Sequence, residues 1–290
     1  MLKGIDVSDN NGKIDWQAVK NSGIDFAILR VGFGNDDTSQ DDKRFFENAN
    51  ACDALGIPWG AYIYSYAMNT AEAESEAAHC MRLLNGRKPL YPVCLDMEDA
   101  DGYKKNRGGL TGEQMIKICD TFLSSMEEKG YYVALYSSVS WLAGILDDRR
   151  LDRYDKWVAQ WNTECEYSGA YGLWQYGGST NYLESPYLSG ISGAVDKNYA
   201  LYDYPSLIRS KGLNGWEIPA ENNLPKEEDP APALPDIPPL PEPESEASPE
   251  QNDTPESEEP AAKSDKKKNG VSLLKRIADV LFRIIRSIFK

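Results

Sequence analysis

Apolar residues recur in two rhythms along the first two thirds of the chain. Continuous runs of strand length occupy 2–7, 25–32, 58–65, 91–98, 131–137, 156–161, 171–176 and 193–196. Between them, apolar positions return every three to four residues, which predicts helices over 15–22, 41–56, 70–86 and 111–129. Asp15 is placed to cap the first helix, and Thr111 with nearby Glu113 to open the last. Gly23, Gly56, Gly86 and Gly130 follow the helical stretches, where left-handed stop residues belong. Alternation of strand and helix over about 210 residues predicts an α/β fold with a parallel sheet, open or closed into a barrel. Long loops and few helices in the second half predict an irregular barrel.

Composition divides the chain into three. Residues 1–216 hold all seven Trp, all 17 Tyr and five of the 17 Pro, and read as globular. Residues 217–262 hold the other 12 Pro and 14 acidic residues against one basic residue. Such a stretch buries too little apolar surface to offset its chain entropy, so a disordered, acidic, Pro-rich linker is expected over 217–270, ending in the basic run Lys266-Lys267-Lys268. In the last segment, Leu, Ile or Val stand at 273, 274, 277, 280, 281, 284, 285 and 288, with Lys275, Arg276, Arg283, Arg286 and Lys290 on the opposite arc. This spacing predicts a cationic amphipathic helix over 271–290, of the kind that lies on an anionic membrane or binds envelope polymers. Packing on the globular part, or self-association, is the alternative.

The whole chain is acidic, with 31 Lys+Arg against 46 Asp+Glu, and the globular part is acidic too. Nucleic acid is excluded as the main partner, because phosphate binding needs concentrated Lys and Arg. Five dispersed cysteines without a CxxC pair read as reduced thiols, and a single histidine argues against a structural zinc site. No segment reads as a membrane span. No signal peptide is visible ahead of the first strand, so the expectation is either a leader already removed or export by another route.

Candidate chemistry begins with Asp96 and Glu98. In Tyr91–Glu98, alternation sets Cys94, Asp96 and Glu98 on one face and Val93, Leu95 and Met97 on the other. Two carboxylates then point the same way at the C-terminal end of a strand, where β/α barrels carry their active sites. Mutual repulsion raises the pKa of one and prepares it as a general acid, and paired carboxyl groups are what glycoside hydrolysis needs. A solvated acidic strand end, continued by Asp99 and Asp101, is the alternative reading. Asp6 and Asp196 each follow an apolar residue at the expected C-terminal end of a strand, and a closed barrel would bring all four to one mouth. Taken singly, each reads as a turn or cap aspartate. Asp25 begins a strand and reads as structural. Tyr62, Tyr64, Tyr66, Tyr136, Trp161, Trp174 and Tyr176 lie in or just after strands, as sugar-stacking residues or as core, and Gln175 stands ready to hydrogen-bond a sugar. His79 has no nucleophile motif near it and reads as a surface or packing residue, not a catalytic base. Gly32-Phe33-Gly34 reads as a turn.

An ordered series of segments resembles glycoside hydrolase family twenty-five, the Chalaropsis-type lysozymes. It runs Gly4-Ile5-Asp6-Val7-Ser8, Ile14-Asp15-Trp16, Gly23 to Gly32, Gly60-Ala61-Tyr62-Ile63-Tyr64 and Leu95-Asp96-Met97-Glu98. It continues through Leu135-Tyr136-Ser137, Ala159-Gln160-Trp161 and Leu173-Trp174-Gln175-Tyr176 to Val195-Asp196-Lys197-Asn198, spanning about residues 1–204. The resemblance implies an irregular TIM-like β/α barrel that cleaves the β-1,4 bond between N-acetylmuramic acid and N-acetylglucosamine in bacterial peptidoglycan. Glu98 would be the general acid/base and Asp96 its partner, supporting attack by the substrate's acetamido group or activating a water. Asp6 and Asp196 would shape and charge the site, and Tyr62 and Tyr136 would line the cleft. No metal or organic cofactor is implied. Two departures from the family pattern are Asn10-Asn11, where Trp-Gln is common, and Lys197 beside Asp196. A lysozyme followed by an envelope-binding tail resembles a phage endolysin, held in the host cytoplasm before lysis and acting on the wall. A secreted autolysin is the alternative. A non-catalytic wall-binding module, a membrane-active protein with the tail as effector, and a chitinase-like hydrolase are the competing functions.

Overall fold

The computed structural model describes residues 1–179 and 183–219. The linker expected over 217–270 and the helix expected over 271–290 lie outside the described residues, apart from positions 217–219. Eight strands close into a barrel in chain order. They are β1 (Leu2–Val7), β2 (Phe26–Phe33), β3 (Trp59–Tyr64), β4 (Val93–Asp96), β5 (Val133–Ser138), β6 (Asp155–Ala159), β7 (Leu173–Gly177) and β8 (Asp196–Ala200). Strands β1 to β7 run parallel to their chain neighbours, whereas β8 is antiparallel to both β7 and β1. The barrel is thus mixed, not wholly parallel.

That reversal corrects the reading of the last strand. Asp196 does not end a strand over 193–196; it begins β8. Val195 is held in a loop, its amide donating to Pro186 O at 3.0 Å. Because β8 runs backwards, its first residue is the register partner of Asp6, the penultimate residue of β1. Both aspartates reach the same mouth, as expected, by a different route.

Helices cover the first half. They are α1 (Trp16–Asn21), α2 (Phe45–Leu55), α3 (Thr70–Leu84), α4 (Tyr103–Asn106) and α5 (Gly112–Glu128), followed by α6 (Val139–Leu142) and, after the barrel, α7 (Tyr204–Ser210). Asp15 caps α1 by accepting from Ala18 N at 3.1 Å. At α5 the capping partner of Thr111 is Gln114, not Glu113: Thr111 N donates to Gln114 Oε1 at 2.8 Å and Gln114 N to Thr111 Oγ1 at 3.3 Å. Helix α2 starts four residues late, because Asp41 and Asp42 are engaged elsewhere: Asp42 takes Arg30 Nε and Arg44 N.

Strand alternation sorts the core into two layers. Ile5, Ala27, Leu29, Ile63, Leu95 and Leu135 face the helices, while Phe26, Ile28, Cys94, Ala134, Trp157 and Leu173 fill the barrel. Phe26 and Tyr91 stack at 4.3 Å across the floor, and Tyr204 closes against Tyr91 at 5.2 Å. Gly4 stands opposite Phe26 in the register, and any Cβ there would overlap the Phe26 ring. The cysteines are unpaired; Cys52, Cys80, Cys94 and Cys119 are buried and Cys165 is partly exposed. His79 is buried, with Nδ1 on Gly34 O at 3.1 Å and Nε2 on Asp41 at 2.8 Å, a packing and tethering role.

Candidate active site

The mouth is built from the strand ends. Asp96 is the last residue of β4, in register with Tyr64 and Tyr136. The ladder stops there, two residues short of Glu98, but the extended path continues: Met97 N donates to Tyr136 O at 3.0 Å and Ser137 Oγ to Met97 O at 2.7 Å. Met97 is buried among the helix-facing residues. Asp96 and Glu98 therefore share the pocket, as the alternation predicts.

That pocket, about 290 Å³, is lined by Asp6, Asp96, Glu98 and Asp196 together with Tyr62, Tyr64, Tyr136 and Gln175. Trp157 forms its base, its ring edge-on to Tyr136 at 4.6 Å and to Tyr62 at 5.9 Å. Asn10, Asn11 and Arg30 complete the wall. Arg30 is fixed by Asp9 and by Asp42 at 2.8 Å. Asn11 closes a capping box with Ser8, accepting from Ser8 N at 2.9 Å. The groove does not end at the pocket. An adjoining cleft of about 470 Å³ shares Asn10, Arg30 and Tyr64 with it and adds Phe33, Tyr66 and Asp101.

A directed network holds Asp6. Its Oδ2 accepts from Asn198 Nδ2 at 2.7 Å and Gln175 Nε2 at 3.1 Å. Gln175 Oε1 in turn accepts from Tyr136 Oη at 3.0 Å and Trp161 Nε1 at 3.1 Å, and Asn198 Oδ1 from Trp157 Nε1 at 2.7 Å. Gln175, read from sequence as a sugar-bonding residue, lines the pocket, and the hydrogen bonds of its amide to Asp6, Tyr136 and Trp161 also orient the site. Trp161 stands at the rim, 37% exposed. Trp174 is not brought into the pocket. Alternation in β7 turns Gln175 inward and its neighbours outward, so Trp174 packs on Tyr176 and Tyr199 and donates to Gln160 O at 2.8 Å.

Crowding and burial set the charge state. Burial is the main cause at each carboxylate. It lifts Asp6 to about 6, against the lowering effect of Asn198 and Gln175. Asp196, with Asp6 and Glu98 repelling it, rises to about 8. Asp96 lies well above the ordinary carboxylate range, pushed by burial and then by Glu98. Glu98 is raised as well, while its hydrogen bond to Asp96 and the Lys104 charge act to lower it. Asp96 Oδ1 is buried without a hydrogen-bond partner among the described residues. Both members of the pair are thus biased toward the protonated form, and of the two Glu98 is the more exposed to solvent. Burial also raises the phenols of Tyr62 and Tyr136, which stay neutral donors.

Trp157, Asn198, Arg30 and the Asn10-Asn11 side chains complete the site although none was singled out as catalytic or substrate-binding from sequence, where Asn10-Asn11 stood only as a departure near a sugar contact. One signal was readable for Arg30: it is the charged member of the inward series Phe26, Ile28, Arg30.

Residues 5–184 match the family model described as Glycosyl hydrolases family 25. Lysozyme M1 of Streptomyces globisporus is 27% identical over 206 residues, covering 68% of this chain and 67% of its own length. The structure of the modular autolysin LytC of Streptococcus pneumoniae, in complex with a synthetic peptidoglycan ligand, superposes with a TM-score of 0.59 at 30% identity. That match covers 68% of this chain and 46% of LytC, so the chain spans under half the length of this relative. A bacterial lysozyme from Streptomyces coelicolor has the same fold, with a TM-score of 0.58 at 24% identity, over 74% of this chain and 98% of its own.

Proposed function

The chain belongs to glycosyl hydrolase family 25, and from that premise we propose that it is a lysozyme that cuts bacterial peptidoglycan at the β-1,4 bond from N-acetylmuramic acid to N-acetylglucosamine. The observation that carries this reading is the Asp96–Glu98 pair. Burial raises the pKa of both carboxyls, and the pair lies in a groove walled by aromatic rings. Glu98 gives its proton to the bridging oxygen as the C1–O bond breaks. The positive charge that develops on the sugar ring faces Asp96, Asp6 and Asp196. Water then bonds to C1, and its proton returns to the carboxylate pair. Tyr62 and Tyr136, as neutral phenols, contact the sugars flanking the bond. The arrangement requires no metal or organic cofactor for proton transfer and oxocarbenium stabilisation.

The test is release of muropeptides from purified walls by wild type and Glu98→Gln. Fragments ending in reducing muramic acid, with at least about a hundredfold slower release by the variant, are expected. Walls left intact by the wild type, or cleavage at the N-acetylglucosamine side, would overturn the assignment.

The chain is further read as three parts: the catalytic barrel over 1–216, a linker over 217–270 and a basic amphipathic segment over 271–290. The support for the last two is sequence alone. The segment would hold the enzyme to anionic lipid or envelope polymers, an arrangement suited to an endolysin. Co-sedimentation with anionic liposomes should require residues 263–290; equal sedimentation of the full chain and a 1–262 truncation would remove the idea.

A further inference from the structure

One buried cation stands behind the carboxylate pair and has no part in the chemistry above. Lys104, on α4, is 2% exposed. Its Nζ donates to Glu98 O at 2.8 Å and to Ser65 O. Ser65 directly follows β3, and Glu98 lies just beyond β4, so one ammonium ties the ends of two adjacent strands at the mouth. The other side of the Ser65–Ala67 segment is held by a buried carboxyl group. Glu76, on α3, accepts from Ser65 Oγ at 2.8 Å, Tyr66 N at 2.6 Å and Ala67 N at 2.9 Å. The loop that returns from Glu98 to Lys104 is closed by Asp99, which accepts from Lys104 N at 2.7 Å and Lys105 N at 2.9 Å.

We propose that Lys104 is a positioning residue for Glu98: its ammonium braces the ends of β3 and β4 and sets a fixed positive charge beside the carboxylate pair. This rests on the reading of Asp96 and Glu98 as the reacting pair. Among the described residues the ammonium bonds only to carbonyl oxygens; it is costly to desolvate, and a neutral donor would hold the same two carbonyls more cheaply. The charge therefore acts on the acids around it, most strongly on Glu76 and next on Asp96 of the site. Facing Lys104 are Glu76 from α3, Asp96 from β4, Asp99 from the loop, Cys119 from α5 and the Tyr64 ring at 5.9 Å. Facing Glu98 are Asp96, Asp101 and Lys104, with Tyr64, Tyr136 and Asp196 across the pocket. Lys104 is thus the cation that acts on both members of the pair, lowering their pKa values against burial and repulsion. In effect it keeps the acid from holding its proton too tightly to release.

Carboxyl carbon NMR of the full chain, titrated from about pH 3 to 10, reads this without any need for turnover. Lys104→Met should move the apparent midpoints of the Asp96–Glu98 pair upward by roughly half to one unit, the low end of what a nearby opposite charge does. Lys104→Arg keeps the charge and should leave them in place. On walls, Lys104→Arg should lower kcat about fivefold or more with KM within about twofold, because the longer fork cannot reach both carbonyls as the ammonium does. Midpoints of a folded Lys104→Met within about 0.2 units of wild type would overturn the electrostatic role. If that variant does not fold, Lys104→Arg decides: full wild-type kcat overturns the brace. A wild type that titrates as expected but leaves walls intact would count against the proposed reaction and leave the Lys104 result standing.

Discussion

The two ends of the barrel bury acidic groups in opposite ways. At the floor, Asp155 lies under Tyr132 and Tyr204 and accepts from Tyr204 Oη at 2.6 Å and Tyr132 Oη at 3.2 Å. Around it the interior is filled by Phe26, Tyr91 and Tyr204. At the mouth, four carboxylates share one pocket. Asp6 alone has two side-chain donors, and Asp96 Oδ1 has none among the described residues. Burial raises the pKa at both ends. What differs is the supply of donors. A buried carboxylate surrounded by hydroxyls is a structural anchor; one surrounded by other carboxylates retains a proton it can give away.

Substitutions at each end test that contrast. The largest effect is expected for Asp96→Asn, which removes a member of the proton-sharing pair. Wall cleavage should fall by about a hundredfold or more, with the melting temperature no lower than wild type. A variant that loses activity only as it unfolds would erase the distinction between the ends. Next in size is Tyr204→Phe at the floor. Losing the donor to Asp155 should destabilise the barrel by about 1–3 kcal/mol in denaturant titration, with kcat per folded molecule unchanged. A comparable loss of kcat would mean that the floor participates in the chemistry.

Asp196→Asn gives the smallest effect on stability, and its sign carries the information. An unfolded aspartate titrates near 3.8, whereas folded Asp196 is raised to about 8. Between those values the folded state holds a proton that the unfolded state has released. Its contribution to stability is therefore full below about pH 4 and lost as pH rises through about 8. A neutral asparagine removes that loss. The variant should gain roughly 1 kcal/mol over wild type at pH 8 and nothing at pH 4, the figure being discounted because Asp196 is partly exposed. Thermal melts at the two pH values read this directly, and an equal shift at both would show that charge is not the cause.

Much of this was legible from alternation. The inward and outward sets of β1 to β5 follow from spacing, and so does the convergence of Asp6 with the Asp96–Glu98 pair. The direction of β8 was not legible. Asp196-Lys197-Asn198-Tyr199-Ala200 is too polar to read as a strand, because its inward members serve the site: Asn198 is there to hold Asp6, not to fill the core. The nearby apolar pair Ala194-Val195 attracted the strand reading instead. Trp174 and Gln175 illustrate a second limit. Both are residue types that bind sugars, and only the phase of β7 decides which one faces inward. The network that occupies Gln175 joins β5, β7, β8 and the segment after β6, a meeting that no local pattern contains. Lys104 was hidden for the same reason, since Tyr-Lys-Lys-Asn looks like a solvent-facing turn until Ser65 and Glu98 are folded around it.

The backward run of β8 has a consequence for modular assembly. Leu2 and Ala200 are register partners, so the first strand begins beside the place where the last one ends, at the floor. Asn214 then ties the following segment to the same end, donating to Pro89 O at 3.0 Å and Tyr91 O at 3.1 Å. Both chain ends of the barrel therefore depart on the side away from the substrate groove. New sequence can be joined at either terminus, or the termini joined to each other in a circular permutation, without passing over the carboxylates.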